Sequence, residues 1–518
     1  MIRNRLPQLL VALLAALTLT APAHAGIQLA AQPFQLADFR AAEKVDATCS
    51  GAAPSFFCDP GEAKLTRITS KGVDYFFDGA GQLVAAFGKQ QRGQKLNDYA
   101  LDARTNLIPF DATIPGLALL VNGDYVAPEV VASDWQADAD GALVGTFEQR
   151  VGALEVRRRL TLRAGVDTIG VELTVTRAEA ADEPTVLQLA VPGIGRTATP
   201  VVKIGHGDSF TLNPREQAFK DPTYASLQMN NNNRDFAIVM RPVPGSEGLS
   251  ATYLRPNRVA LQAELGAAAG ASFTFATGLY PGHNELVRYS QEEYLGLPGL
   301  FNPNILGRLS LIVVRILEFV HQYVPSWGLS IIVLTLLFRA VIWPLISTQT
   351  KSMFGMQRLQ PKLQELQRKY KDDREKLTQE TMALYREAGV NPAGGCLPIL
   401  VQMPLFIILW RVFVNFEFNE GFLWLPDLGQ SDPFYILPIL YVGVMVATSY
   451  FSARGNPQML RQSLIINVVF VFIIINFPAG VLVYYVVSML VQVIQYWLLS
   501  RGQPPAPALA AAGAKRSK

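Results

Sequence analysis

Hydrophobic and polar positions follow two different periods along this chain. In LEVRRRLTL (Leu154 to Leu162) and IGVELTVTR (Ile169 to Arg177), apolar residues recur at every second position, with Ala164-Gly165-Val166-Asp167 between the runs. A period of two belongs to a strand with one buried face, so the stretch predicts a β-hairpin. Further short alternating runs, broken by Gly, Pro and the Asn230 to Asn233 tract, extend the pattern over residues 26–300. They predict one large β-sandwich-like domain. No nucleophile elbow, phosphate loop or clustered carboxylate motif stands out in it, and its sequence alone does not state its job.

Helix breakers gather at GLPGLFNPN, and beyond them the period lengthens. Asn304 can cap a helix over 305–324 that Pro325 ends. Ile305, Leu309, Ile312, Val313, Ile316, Leu317 and Val320 fall on one side of it, and Arg308, Arg315, Glu318 and Gln322 on the other. Residues 301–325 are thus expected to lie in a membrane interface as an amphipathic helix. A span with Arg315 and Glu318 at its centre is the competing reading. Five apolar segments follow, at about 327–347, 397–415, 434–452, 464–477 and 479–499, and each is read as a membrane span. The last two are joined tightly through Phe477-Pro478-Ala479-Gly480.

The N-terminus has its own pattern. Arg3 and Arg5 precede an apolar run from Leu9 to Ala21, and Ala23-His24-Ala25 stands before Gly26. The run reaches only about 20 Å, short of the ~30 Å hydrocarbon core. Residues 1–25 therefore read as a signal peptide cleaved after Ala25, with an uncleaved anchor as the alternative. Either way the β domain is expected to be exported.

Composition agrees with a part-membrane chain, since 50% of the 518 residues are hydrophobic and 17% charged. A net charge of +3 gives no case for nucleic-acid binding. The placement of the charges is more informative. Residues 351–388 hold nine Lys and Arg, Arg454 and Arg461 lie in the loop 453–463, and the tail 501–518 holds Arg501, Lys515, Arg516 and Lys518, whereas residues 416–432 have none. The positive-inside rule puts 351–388 and the tail in the cytoplasm and the β domain outside. Within 352–388, Leu359, Leu363, Leu366 and Tyr370 form one helical stripe, Lys371-Asp372-Asp373 can turn, and Leu377, Leu384 and Ala388 continue a second helix. That predicts a charged helical hairpin, with a solvated linker as the plainer alternative. Cys49 and Cys58 flank a short loop and are a possible disulfide in an oxidising compartment, two free thiols being the alternative. Four scattered histidines offer no ligand spacing, so no metal or cofactor is expected.

One residue conflicts with this membrane reading. In LSIIVLTLLFRAVIWPL, Arg339 sits near the middle of the first span, where a cation costs roughly 2.5–3.5 kcal/mol. The five spans contain no Asp or Glu to neutralise it. Thr335, Gln402, Tyr484, Tyr485, Ser488 and Gln492 are the polar groups at hand. A cation among hydroxyls and amides needs water, which implies a wet groove open toward the cytoplasm. A structural arginine bonded to carbonyls and tyrosines is the competing reading.

LTLLFRAVIWPLISTQTKSMFGMQRLQPKLQELQRKY, then REAGVNPAGGCLPILVQMPLF, then NFPAGVLVYYVVSMLVQVIQYW closely resemble the YidC family of membrane protein insertases over about residues 300–500. The resemblance implies a multi-domain protein, with an exported β-sandwich-like domain before a five-span α-helical insertase core at 326–500. It makes Arg339 the groove cation, Thr335, Gln402, Tyr484, Tyr485 and Ser488 the polar lining, and Met403 and Phe406 part of the face along which a client segment slides. It implies nascent membrane proteins as clients, the lipid bilayer and Sec translocon as partners, and ribosome and signal recognition particle receptor contacts through 352–388 and the tail. It implies a bacterial inner-membrane location and no bond-making chemistry. Two departures stand out: the N-terminal segment looks cleavable where relatives keep an anchor, and Met489 stands where many relatives have asparagine. A solute or ion transporter with an exported β receptor domain is the alternative, disfavoured because the sequence shows no inverted repeat and no membrane carboxylate.

Overall fold

The computed structural model describes residues 29–35, 64–70, 72–88, 107–108, 114–194, 200–215, 217–229, 236–255, 258–301, 303–388, 397–418, 420–452, 460–461, 464–465 and 474–501. The segment 1–25 expected to be a signal peptide, the expected disulfide pair Cys49 and Cys58, Cys396 and the tail beyond Arg501 lie outside them. A β-rich N-terminal region precedes a helical C-terminal one. Two compact units result: 25–311 with 414–420, and 312–413 with 421–518.

Every strand pairing in the β unit is antiparallel. One sheet has nine strands, ordered Ser209–Leu212, Val201–His206, Pro222–Met229, Phe236–Pro242, Ser272–His283, Ile169–Arg177, Leu154–Leu162, Leu143–Val151 and Glu129–Ala137. A second has six, a third four. The expected hairpin is present, with Val171 opposite Leu160 and Val175 opposite Val156. Alternation puts Leu154, Val156, Leu160 and Leu162 inside and Glu155, Arg157 and Arg159 in solvent. Leu187, Leu189 and Leu261 of the six-stranded sheet and Tyr75 and Phe77 of the four-stranded one meet them in one hydrophobic core. This shared core is what a sandwich-like domain requires.

One inward position is not apolar. Arg158 stands in the alternating row of Leu154–Leu162, is 1% exposed, and donates to the carbonyls of Gly81 (2.7 Å) and Leu117 (2.9 Å). Both acceptors sit at positive φ, 68° and 62°, a turn geometry that aims these carbonyls inward.

Seven helices follow among the described residues: α1 (Leu286–Gln291), α2 (Ile305–Tyr323), α3 (Trp327–Lys369), α4 (Arg374–Glu387), α5 (Leu397–Asn415), α6 (Ile436–Ser452) and α7 (Ala479–Arg501). On α2, Val313, Val314, Leu317 and Val320 are buried, while Ile305, Leu309, Ile312 and Phe319 are exposed. Its apolar stripe is therefore wider than the structure itself covers. Asn304 Oδ1 accepts from the Gly307 amide at 2.8 Å, the cap expected there. The first apolar segment and the first helix of the charged hairpin prove to be one continuous 43-residue helix, α3. Asp373 then caps α4 by accepting from the Lys376 amide at 3.0 Å. Trp327–Thr350 and Ala479–Arg501 are long and apolar enough to cross a membrane, and Gln402–Asn415 and Ile436–Ser449 are shorter apolar helices. Most of the fourth expected span, 464–477, lies outside the described residues.

Candidate functional site

The site's residues lie on α3, α5 and α7, within the part of each that belongs to the helical unit. Thr335 and Arg339 are one turn apart on α3, so their side chains share a face. Thr335 is fully buried and turns its hydroxyl back to the Ile331 carbonyl at 2.6 Å. Such back-bonding keeps a polar group satisfied inside an apolar helix. Arg339 is 7% exposed, and its buried Nε has no hydrogen-bond partner. Among the described residues no carboxylate pairs with it. Tyr484 and Tyr485 lie within electrostatic reach of the guanidinium.

Helix α7 supplies the facing wall. Tyr484 is 2% exposed and Tyr485 partly buried, their rings 5.3 Å apart at 76°. One turn beyond Tyr484, the hydroxyl of buried Ser488 has no partner. Gln402 of α5 donates from Nε2 to the Tyr484 hydroxyl at 3.3 Å, which ties α5 to α7 through a polar contact. Phe406, one turn further along α5, packs beside Trp410 (5.8 Å), Phe477 (6.0 Å) and Tyr485 (6.1 Å). Met403 is 51% exposed on α5. Close approach of the helices is enforced at Gly480, where an added Cβ would lie 3.2 Å from the Leu428 carbonyl and 3.3 Å from Ile331.

The structure thus gathers Arg339, Tyr484, Tyr485, Gln402 and Phe406 by direct neighbourhood, buries Thr335 and Ser488 on the same helices, and leaves Met403 on the surface of α5. Two further buried amides lie on the same helices, α3 and α7. Gln349 is 5% exposed, and neither its amide nitrogen nor its oxygen has a partner. Gln495 is 1% exposed and donates to Ser347 Oγ (2.9 Å) and the Trp343 carbonyl (3.2 Å), joining α7 to α3. Gln492, named from sequence as an available polar group, is exposed instead. The signal for Gln495 was there, an amide three residues after Gln492 in an apolar run, but without the helix phase the two could not be told apart.

A buried cation, an unbonded hydroxyl and an unbonded amide are several unmet hydrogen bonds in one helical unit. Each costs about 1–3 kcal/mol unless water or a guest supplies a partner. The arrangement can therefore receive polar atoms, acidic ones preferentially. Among the described residues no group of three or more His, Cys, Asp and Glu is placed to hold a metal ion.

Known proteins resemble this chain. Residues 319–506 match the 60Kd inner membrane protein family. A membrane protein insertase YidC from Deinococcus radiodurans is 33% identical over 382 residues, covering 72% of this chain and 86% of that protein. The insertases of Nitratidesulfovibrio vulgaris (39% over 211 residues, 38% of this chain and 39% of that one) and Actinobacillus succinogenes (41% over 192 residues, 36% of each) match over shorter stretches. A crystal structure of active YidC insertase aligns with 85% of this chain and 93% of its own, at TM-score 0.47 and 18% identity. With the Deinococcus radiodurans insertase 33% identical over 72% of this chain and 86% of its own, and the helix that carries the buried arginine inside the family match, the chain belongs to the YidC family of membrane protein insertases.

Proposed function

We propose that this insertase works through a hydrophilic groove between α3, α5 and α7, in which Arg339 is the cation and Thr335, Gln402, Tyr484, Tyr485 and Ser488 the polar lining. The observation that carries the reading is Arg339, buried with an unbonded Nε and without a carboxylate partner among the described residues. Met403 and Phe406 form the apolar face beside it. A client's short translocated flank leaves water for the groove, where the guanidinium and hydroxyls replace part of its hydration. Its hydrophobic segment meanwhile moves into lipid and gains roughly 25 cal/mol per Å² of apolar surface removed from water. Transfer is then downhill without nucleotide hydrolysis, so the protein lowers a barrier and breaks no bond.

The topology in this reading is five spans, at about 327–347, 397–415, 434–452, 464–477 and 479–499, in the bacterial inner membrane. The basic loop 352–388 and the tail 501–518 face the cytoplasm, α2 lies in the outer interface, and the β domain 26–300 is periplasmic, exported by the segment 1–25. Support comes from the Lys and Arg in 351–388 against none in 416–432. Clients are nascent membrane proteins, taken alone or with the Sec translocon. Ribosome and signal recognition particle receptor contacts are assigned to 352–388 and the tail. Photocrosslinking tests the groove: a crosslinkable residue at position 402 or 485 should capture the flank of an inserting client. A probe at exposed Leu498 should not, and equal capture at all three positions would sink the assignment.

A further inference from the structure

Four charged side chains meet inside the β unit. Arg288 on α1, Asp167 from the hairpin loop, Glu292 just after α1 and Glu417 are each no more than 3% exposed. Arg288 ion-pairs with Asp167, reaches Glu417 Oε2 at 3.1 Å and lies 3.5 Å from Glu292 Oε1. Glu417 comes from a distant part of the chain. It lies in 414–420, the segment that includes the end of α5 yet belongs to the β unit. Gln291 grips the backbone of Glu417 on both sides, donating to its carbonyl at 3.2 Å and accepting from its amide at 2.7 Å. Asn415 of α5 donates to Glu285 Oε1 at 3.2 Å.

Three carboxylates on one guanidinium leave two surplus negative charges if all are ionised. Buried surplus charge is costly, and such a cluster sheds it by keeping a proton. Glu292 makes the longest of the three contacts to Arg288, 3.5 Å, so it is the carboxyl that the cation holds least firmly in its ionised form; its Oε2 accepts from the Thr168 hydroxyl at 2.6 Å and its Oε1 from the Asp167 amide at 2.7 Å. We propose that this cluster is a proton-dependent latch by which the β unit holds residues 414–420, with Arg288 as the positioning residue for the C-terminal end of α5. Burial pushes the Glu292 carboxyl up to about 7, against the pull of Arg288 and with a further push from Asp167. The other groups facing the cluster are Glu417, Tyr75, whose hydroxyl donates to the Asp167 carbonyl at 2.9 Å, Tyr280, and Tyr294, which carries Arg241 over its ring at 5.5 Å.

The sign follows from the raised pKa. The closed latch binds the Glu292 proton more tightly than the open one, so closure is strongest below the ordinary glutamate range and weakens as pH rises toward 7.

The test is hydrogen exchange of the segment 414–418 in the full-length protein in nanodiscs at pH 6 and pH 8, corrected for intrinsic exchange. Opening should be faster at pH 8 by a factor that cannot exceed about tenfold, the ceiling set by a complete move of the carboxyl between its free value of 4.5 and about 7. Glu292→Gln should abolish that step. Glu417→Gln should speed exchange of the segment about tenfold or more at both pH values, while the strand Ile169–Arg177 keeps its protection. Wild-type exchange without a pH step, the same step in Glu292→Gln, or unchanged protection in Glu417→Gln would each overturn the proposal.

Discussion

Replacing Arg158 by Met tests how the β unit tolerates a cation in its core. The side chain is 1% exposed and donates to two buried carbonyls, at 2.7 and 2.9 Å. Its charge also acts on Asp78, whose carboxyl accepts from the Ala80 and Gln82 amides at 2.9 and 2.7 Å. Met fills a similar volume but leaves both carbonyls and the carboxylate without their cation. Leaving two buried carbonyls without a donor costs about 1–3 kcal/mol each, so the β unit should lose about 2–6 kcal/mol. The pH dependence distinguishes this from a simple packing defect. Burial pushes Asp78 up to about 6, with the two amides and Arg158 restraining it. The folded state then holds a proton that the unfolded state has lost, so stability falls as pH rises from the ordinary aspartate range through 6 and levels off above. Without Arg158 the Asp78 pKa rises further, each unit adding about 1.36 kcal/mol, and the fall continues beyond pH 6. Urea denaturation followed by exchange protection of the strand Val73–Phe77 should show a larger deficit at pH 7.5 than at pH 5. A loss within about 1 kcal/mol of zero, or a deficit larger at low pH, would refute the reasoning.

Gln349→Leu removes two buried polar atoms that have no partner, so it should raise thermal stability by about 1–3 kcal/mol while slowing client insertion. A destabilised variant would mean that Gln349 is bonded after all. Gly88→Ala would set a Cβ 2.0 Å from a ring carbon of Phe236, itself fully buried, and should lower the melting temperature of the β unit. An unchanged transition would show that the Phe236 ring moves freely. Single cysteines at Asp372 and Ser431 should be labelled by an impermeant maleimide from opposite sides of the membrane. Labelling from the same side would break the five-span topology.

Much of the fold was legible because burial imposes a period. Strands Leu154–Leu162 and Ile169–Arg177 alternate in sequence and pair as expected. What the period hid was Arg158, which takes an inward slot that reads as apolar on either side; its partners lie at Gly81 and Leu117, and no local signal links them. The Arg288 cluster was hidden for the same reason, since Glu417 is 129 residues away in sequence. In the helical unit, Arg339 was legible because a cation in an apolar run is conspicuous by itself. Gln349 was not, because an amide near a helix end is ordinary until its burial is known. The continuity of α3 was also unforeseen, since Pro344 and Pro361, which lack the amide a helix interior uses, both fall inside it.

Arg339, as the groove cation, should let the protein pass an acidic flank into the membrane unaided. The most direct measurement is insertion of a single-span client with an acidic translocated flank into proteoliposomes holding only this protein, scored by protease protection. Wild type should insert the client efficiently, Arg339→Lys should keep most of that activity, and Arg339→Ala should lose about tenfold or more, the worth of one charged hydrogen bond. A client with a neutral flank should be affected far less. Insertion by Arg339→Ala at the wild-type rate for the acidic flank, or no insertion by folded wild-type protein, would contradict the account.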